Sequence, residues 1–177
     1  MGLSIAAFRG QFNPRTEGRA FLARLARRVE AGFLMGRPHF RSRYAVVSQT
    51  GEELEIRSED FWTDFNVGLN DITLRLARDG AVEYHVTFWR WVRGGVVLCT
   101  TMAALLLLLY LLPLPEYWSI AAQVNHGSPR ERLLNHAIFW GSMVWFGIAW
   151  PWVLAALHGR FAEGLLRRIL GEVDAAG

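Results

Sequence analysis

His136 is the side chain whose setting most invites a cofactor. It lies in a run from Leu133 to Gly159 that holds two histidines and no Asp, Glu, Lys or Arg. A histidine in such a run can ligate a haem iron or a chlorophyll magnesium. Bis-histidine haem needs a second ligand at the same depth. The other apolar run, Gly94 to Leu112, has no histidine, so His126, between the runs, is the remaining partner within the chain. His158 lies about 33 Å from His136 along a helix rising ~1.5 Å per residue, too far to share its site. The plainer expectation is that His136 is a hydrogen-bonded histidine at a membrane interface.

The carboxylates offer less. Glu52, Glu53, Glu55, Glu59, Asp60, Asp64 and Asp71 form an acidic stretch, with His39 and His85 elsewhere in the same half of the chain. Their spacing matches neither a metal site nor an acid–base pair, and a solvated edge is expected. A membrane enzyme built on this stretch with His39 or His85 is the lesser alternative. No phosphate loop, nucleophile elbow or dinucleotide fingerprint occurs. The single cysteine, Cys99, excludes an intrachain disulfide and a cysteine-based metal site.

The tryptophans are the informative group. Trp89, Trp91, Trp118, Trp150 and Trp152 suit the belts found where membrane meets water. Arg90 and Arg93, interleaved with the first two, complete an interface anchor. Trp145 does not suit a belt, because it stands 12 residues into the second apolar run. With Trp140 and Phe146 it predicts a surface for a partner helix, pigment, quinone or lipid. The plainer role is a tryptophan tolerated by lipid or the companion helix. Pro151 removes a hydrogen bond to the carbonyl of Gly147 and predicts a kink.

These residues need elements to hold them. The two apolar runs are 19 and 27 residues long, enough for two transmembrane helices, 94–112 and 129–159. The second begins at a capping box with proline at its first helical position, Ser128-Pro129-Arg130-Glu131. Between them, 113–128 is a short outer loop. Pro113 and Pro115 stop the first span, and Glu116 to Val124 reads as an interfacial helix. Residues 160–177 read as a basic amphipathic tail. In an antiparallel hairpin, counting from Leu112 and Leu133 predicts that Ala104 faces Gly141. Thr100 and Ala137, one turn from each, extend that small-residue contact.

The N-terminal 93 residues read as an α+β domain. Asn13-Pro14 predicts a helix start, and Phe21, Leu22, Leu25, Ala26, Val29 and Phe33 form an apolar face opposite Arg24, Arg27 and Arg28 as far as Leu34. Such a basic helix can lie on an anionic membrane, but the strands that follow need a cover, and covering them is expected. Gly36-Arg37-Pro38 ends the helix. Strands are predicted over 43–49, 53–57, 71–78 and 81–88, with Asp79-Gly80 as a hairpin turn. Residues 58–70 are either a helical turn or a bulged strand carrying Phe61, Trp62 and Phe65. The expectation is thus one amphipathic helix on an antiparallel sheet of four or five strands, followed by a two-helix transmembrane hairpin.

All 19 basic residues are arginine, interleaved with 16 acidic ones for a net charge of +3. Arginine without lysine points to GC-rich bacterial coding, and with the acidic residues interleaved the small positive charge does not imply a nucleic-acid partner. The first residues offer no signal-peptide core before Arg9. Arg78, Arg90, Arg93, Arg160, Arg167 and Arg168 flank the spans on one side, against Arg130 and Arg132 between the two apolar runs, which predicts both termini in the cytoplasm of an inner membrane. Neither apolar run, 94–112 or 133–159, contains Asp, Glu, Lys or Arg, which argues against a transport path formed by this chain alone. The functional expectation is a non-catalytic accessory or assembly subunit of a bacterial energy-transducing membrane complex, photosynthetic or respiratory. The alternative is a lipid- or quinone-binding protein with a pocket between the sheet and helix 14–34.

Overall fold

A computed structural model describes residues 6–34, 43–116 and 118–176. The expected helix stop at Gly36-Arg37-Pro38, the candidate His39 and Tyr117 lie outside the described residues. The chain divides into two compact units, residues 1–92 with 155–177, and residues 93–154.

The first unit is built on five antiparallel strands, β1 (Ala7–Phe12), β2 (Tyr44–Gln49), β3 (Glu53–Ser58), β4 (Asp71–Leu76) and β5 (Val82–Thr87), in the order β1-β5-β4-β3-β2. Four strands run as a meander, and β1 pairs with β5 at the opposite edge from β2. Period-two alternation puts Leu54, Ile56, Ile72, Leu74, Val82, Tyr84 and Val86 on one face, all fully buried. Helix α1 (Gly18–Gly32) lays Phe21, Leu22, Leu25, Ala26 and Val29 on that face, so its apolar stripe covers the sheet. It starts at Gly18 after Glu17, which makes no side-chain cap; the start expected at Asn13-Pro14 is four residues early, because residues 13–17 form a non-helical connection from β1 whose Arg15 backbone donates to Asp174.

Strand β1 was not expected from the pattern. Its alternation is carried by two phenylalanines only, Phe8 and Phe12, with Gly10 between them. Gly10 pairs directly with Tyr84, whose ring fills the space a Cβ would take. An aromatic across from an edge-strand glycine restores the packing that glycine lacks. The hairpin at Asp79-Gly80 also differs from the two-residue form. Gly80 donates to the Ala77 carbonyl, and only Gly80 of the turn has positive φ, +85°. Both two-residue hairpin turns, I′ and II′, need positive φ at the first central residue, which Asp79 lacks, so this is the longer turn closed by glycine.

The segment 58–70 forms a helix, α2 (Phe61–Val67), capped by Asp60 and ended by Gly68 at φ +69°. A further helix covers the sheet from the C-terminus. Helix α6 (Trp150–Ala175) places Ala162, Leu166, Ile169, Leu170 and Val173 in the same core as α1. Tyr84 Oη donates to Glu163 at 3.3 Å, and Asp174 accepts from the Arg15 backbone at 3.0 Å. The amphipathic tail expected over 160–177 is therefore a layer of the domain. Its periodicity reads equally as a membrane-surface face or a core face, and only the sheet's uncovered area distinguishes them.

The second unit holds most of α3 (Trp89–Leu111), then α4 (Ile120–Val124), α5 (Pro129–Val144) and a π-helical turn (Trp145–Ala149) that leads into α6. Among the described residues, helix α3 and the continuous helix from Pro129 to Ala175 are the two long and apolar enough to cross a membrane. Ser128 caps α5 in a complete capping box with Glu131. The π turn answers Pro151. Proline cannot donate to residue 147, and Trp150 donates instead to the Trp145 carbonyl, five residues back.

Candidate functional site

Within the second unit, the helices meet where glycine permits. A Cβ on Gly147 would stand 2.9 Å from the Ala103 Cβ, so the two backbones approach closely there. Tyr110 stacks on Phe139 at 5.0 Å and meets Trp140 edge-on at 5.8 Å. Both contacts place residues whose numbers sum to about 250 side by side. The expected pairing of Ala104 with Gly141 sums to 245, and it is wrong. Thr100, Ala104, Ala137 and Gly141 are all exposed, and a Cβ on Gly141 would meet nothing within 4 Å. Counting from Leu112 and Leu133 fails because α5 starts at Pro129, and its early turns extend past the Tyr110 contact. Thr100 bonds back to its own helix, to the Val96 carbonyl at 2.8 Å.

Trp145 is two residues from Gly147, on roughly the opposite side of the helix, and is 48% exposed. Phe146 and Trp152 are also exposed, and Trp150 lies between Trp145 (6.4 Å) and Phe146 (6.0 Å). The second helix thus carries an aromatic surface at the π turn. His136 Nε2 lies 3.1 Å from the Asn125 side-chain oxygen, a partner the sequence reading did not consider. Trp118 is exposed in the loop between the helices.

The first unit contains a polar network at the end of the sheet where β5 passes into α3. Asp64 of α2 accepts from Ser58 Oγ, from Asn70 Nδ2 at 2.8 Å and from Arg90 at 3.0 Å. Ser58 and Asn70 are buried. Arg90 also reaches Asp71 at 3.2 Å, and Asn70 Oδ1 accepts from the Trp91 backbone. The Tyr44 hydroxyl is buried nearby with no hydrogen-bond partner among the described residues. Burial first, then the Asp64 and Asp60 carboxylates, raise its pKa far above the ordinary range, so it stays a neutral phenol. Trp91 stacks on His158 at 4.1 Å, and Phe88 meets the same ring at 5.5 Å. Gly68 leaves room for the imidazole, where any side chain would collide with it. The anchor residues Arg90, itself partly exposed, and Trp91 are thus tied to the sheet unit by hydrogen bonds and stacking, while Trp89 and Arg93 are exposed. Sequence reasoning missed this network because Asp64, Asn70 and Arg90 come together only through the turn of α2.

The open face of the sheet is polar. Glu55, Thr73, His85 and Arg9 form one cross-strand row, and Glu53, Arg75, Glu83 and Gln11 the next. All of these but Glu53 line a shallow depression of about 600 Å³. Arg75 pairs with Glu53 at 2.9 Å and Arg57 with Asp71 at 2.8 Å. Burial, and secondarily the charge of Arg9, lower the pKa of His85. Among the described residues no cluster of three or more His, Cys, Asp or Glu could hold a metal ion. The interface between α1 and the sheet, the place for a lipid or quinone pocket, is filled by Phe21, Leu22 and Leu25 against Leu54 and Leu74. No family model, curated protein or solved structure matches this chain.

Proposed function

We propose that this protein is a non-catalytic accessory or assembly subunit of a bacterial inner-membrane complex, with the helices after Arg93 and before Leu154 crossing the bilayer as a hairpin. The observation that carries the reading is the uncovered aromatic surface of the second helix, Trp145, Phe146 and Trp152, on a segment whose other side packs on α3 through Gly147, with Trp140 at the edge of that contact against Tyr110. Aromatic side chains concentrate where protein surfaces recognise one another, and π turns recur at functional positions. Hairpin topology is supported by the division of the chain, since residues 1–92 and 155–177 form one compact unit, and a single unit occupies one side of a membrane. The arginine bias puts that side in the cytoplasm.

The test is purification from the native source in mild detergent, with an absorption spectrum for pigment or haem. Stoichiometric partners are expected, and Trp145→Ala should release them while leaving the hairpin folded. A chain that purifies alone, and whose Trp145→Ala variant behaves identically, would overturn the reading.

A further inference from the structure

The short helix α2 exposes two large aromatic side chains that the sheet core does not use. Phe61 is 63% exposed and Trp62 69%, and their rings meet edge-on at 5.6 Å. An exposed aromatic pair of this size on a small domain marks a contact surface. Its place in the fold identifies what it contacts.

Strands β3 and β5 run in the same direction, and Arg57, Asp71 and Thr87 form the last cross-strand row at one end of the sheet. From that row β3 leads into α2, and β5 leads into α3 with Phe88 alone between Thr87 and Trp89. Helix α2 and the first turn of α3 therefore leave the sheet at the same end. The ion pair between Arg90, in that first turn, and Asp64, in α2, fixes their common level at 3.0 Å. Trp89 beside it is 57% exposed. The polar side of α2 is satisfied inward. Asp60 accepts from the Thr63 backbone and hydroxyl, and Asp64 is neutralised by Arg90.

We propose that Phe61 and Trp62 form an aromatic lip that inserts into the boundary between headgroups and acyl chains, beside the entry point of α3. Tryptophan favours that depth because its ring is apolar and its N–H still reaches water or headgroups. Lipid is the occupant because α3 enters its apolar run at Gly94, one helical turn after Arg90, so the bilayer surface must lie at this level. This inference rests on the membrane reading above. It adds that the sheet unit is clamped to the bilayer at two places, the root of α3 and the lip of α2.

Site-directed spin labelling of the full chain in lipid nanodiscs separates the two. In a Cys99→Ser background, labels are placed through Trp62→Cys, through Leu105→Cys in α3, and through Asp79→Cys at the far end of the sheet. Position 105 should be accessible to oxygen and shielded from a nickel chelate, and position 79 the reverse. Position 62 should show an oxygen-to-nickel ratio severalfold above that of position 79. If position 62 matches position 79 while 105 stays in lipid, the lip is overturned and the membrane reading stands. If 105 is also open to nickel, the membrane reading fails and the lip with it. Should Trp62→Cys fail to fold, Phe61→Cys supplies the same comparison. The preparation contains no partner protein, so an aqueous label at both positions rejects lipid as the occupant.

Discussion

The two units of this chain solve the problem of apolar surface in opposite ways. In the sheet unit, Leu25, Leu54, Leu74 and Leu166 are fully buried, and buried polar groups such as Asn70 and Asp64 are hydrogen-bonded to one another. In the hairpin unit, Leu98, Leu105, Leu108, Ile138 and Val144 are exposed. A domain of the first kind is stable in water. A helix pair of the second kind holds too little protein to enclose its own side chains, and needs lipid or partner helices around it. The difference also separates how each unit tolerates mutation, since a core is close-packed and a hairpin touches itself along one seam.

The largest expected effect breaks the sheet unit from the C-terminal end. Removing residues 160–177 should unfold the sheet, because Leu166, Ile169 and Leu170 leave the core together. The point substitution Leu166→Ala should cost about 2–5 kcal/mol, read by denaturant unfolding of the full chain in detergent. A tail lying free of the domain would give no change. Next comes the polar network. Asp64→Ala removes the acceptor for Ser58, Asn70 and Arg90, and should cost about 3 kcal/mol because buried donors are left unmet. Amide exchange should rise first in 58–70 and at the start of α3.

The hairpin is expected to respond more locally. Gly147→Leu should push the helices apart at Ala103 and destabilise the pair by about 1–3 kcal/mol, whereas Gly141→Leu should stay within ~0.5 kcal/mol. Distances between labels on α3 and α5 report the separation. Equal effects at the two glycines would show that the helices meet on a different face.

What was legible in the sequence follows the same division. Strands β2 to β5 and helix α1 carry strong alternation or a continuous apolar face, and each lies within a few residues of its expected bounds. The capping box at Ser128 has specific chemistry and is formed in full. Strand β1 escaped because Gly10 interrupts its alternation, and the compensating Tyr84 is more than 70 residues away. The role of 155–177 escaped because amphipathicity says that a face is buried but not against what. The helix contact escaped because a small residue marks a possible approach, and Gly141 and Gly147 are equally small. Register decides between them, and register depends on how far α5 extends beyond α3, which no local signal records.

The smallest expected effect tests the edge of the sheet unit through His85. This imidazole stands in the row Glu55, Thr73, His85, Arg9, so its surroundings depend on β1 pairing with β5. Burial, then the Arg9 charge, hold its pKa below the ordinary value of about 6.5. The unfolded chain therefore binds the proton more tightly than the folded one. The resulting contribution to stability is fully present above the unfolded pKa. It is lost as pH falls from about 6.5 through the lower folded value. Proton NMR of the imidazole, assigned by its absence in His85→Gln, should show a midpoint below 6.5. Arg9→Gln should move that midpoint upward without restoring the ordinary value, because burial persists. The same substitution should leave Leu166 and the hairpin unaffected, since Arg9 points to the open face. A midpoint that Arg9→Gln leaves unmoved would mean that Arg9 does not stand beside His85, and the register of β1 on β5 would have to be redrawn.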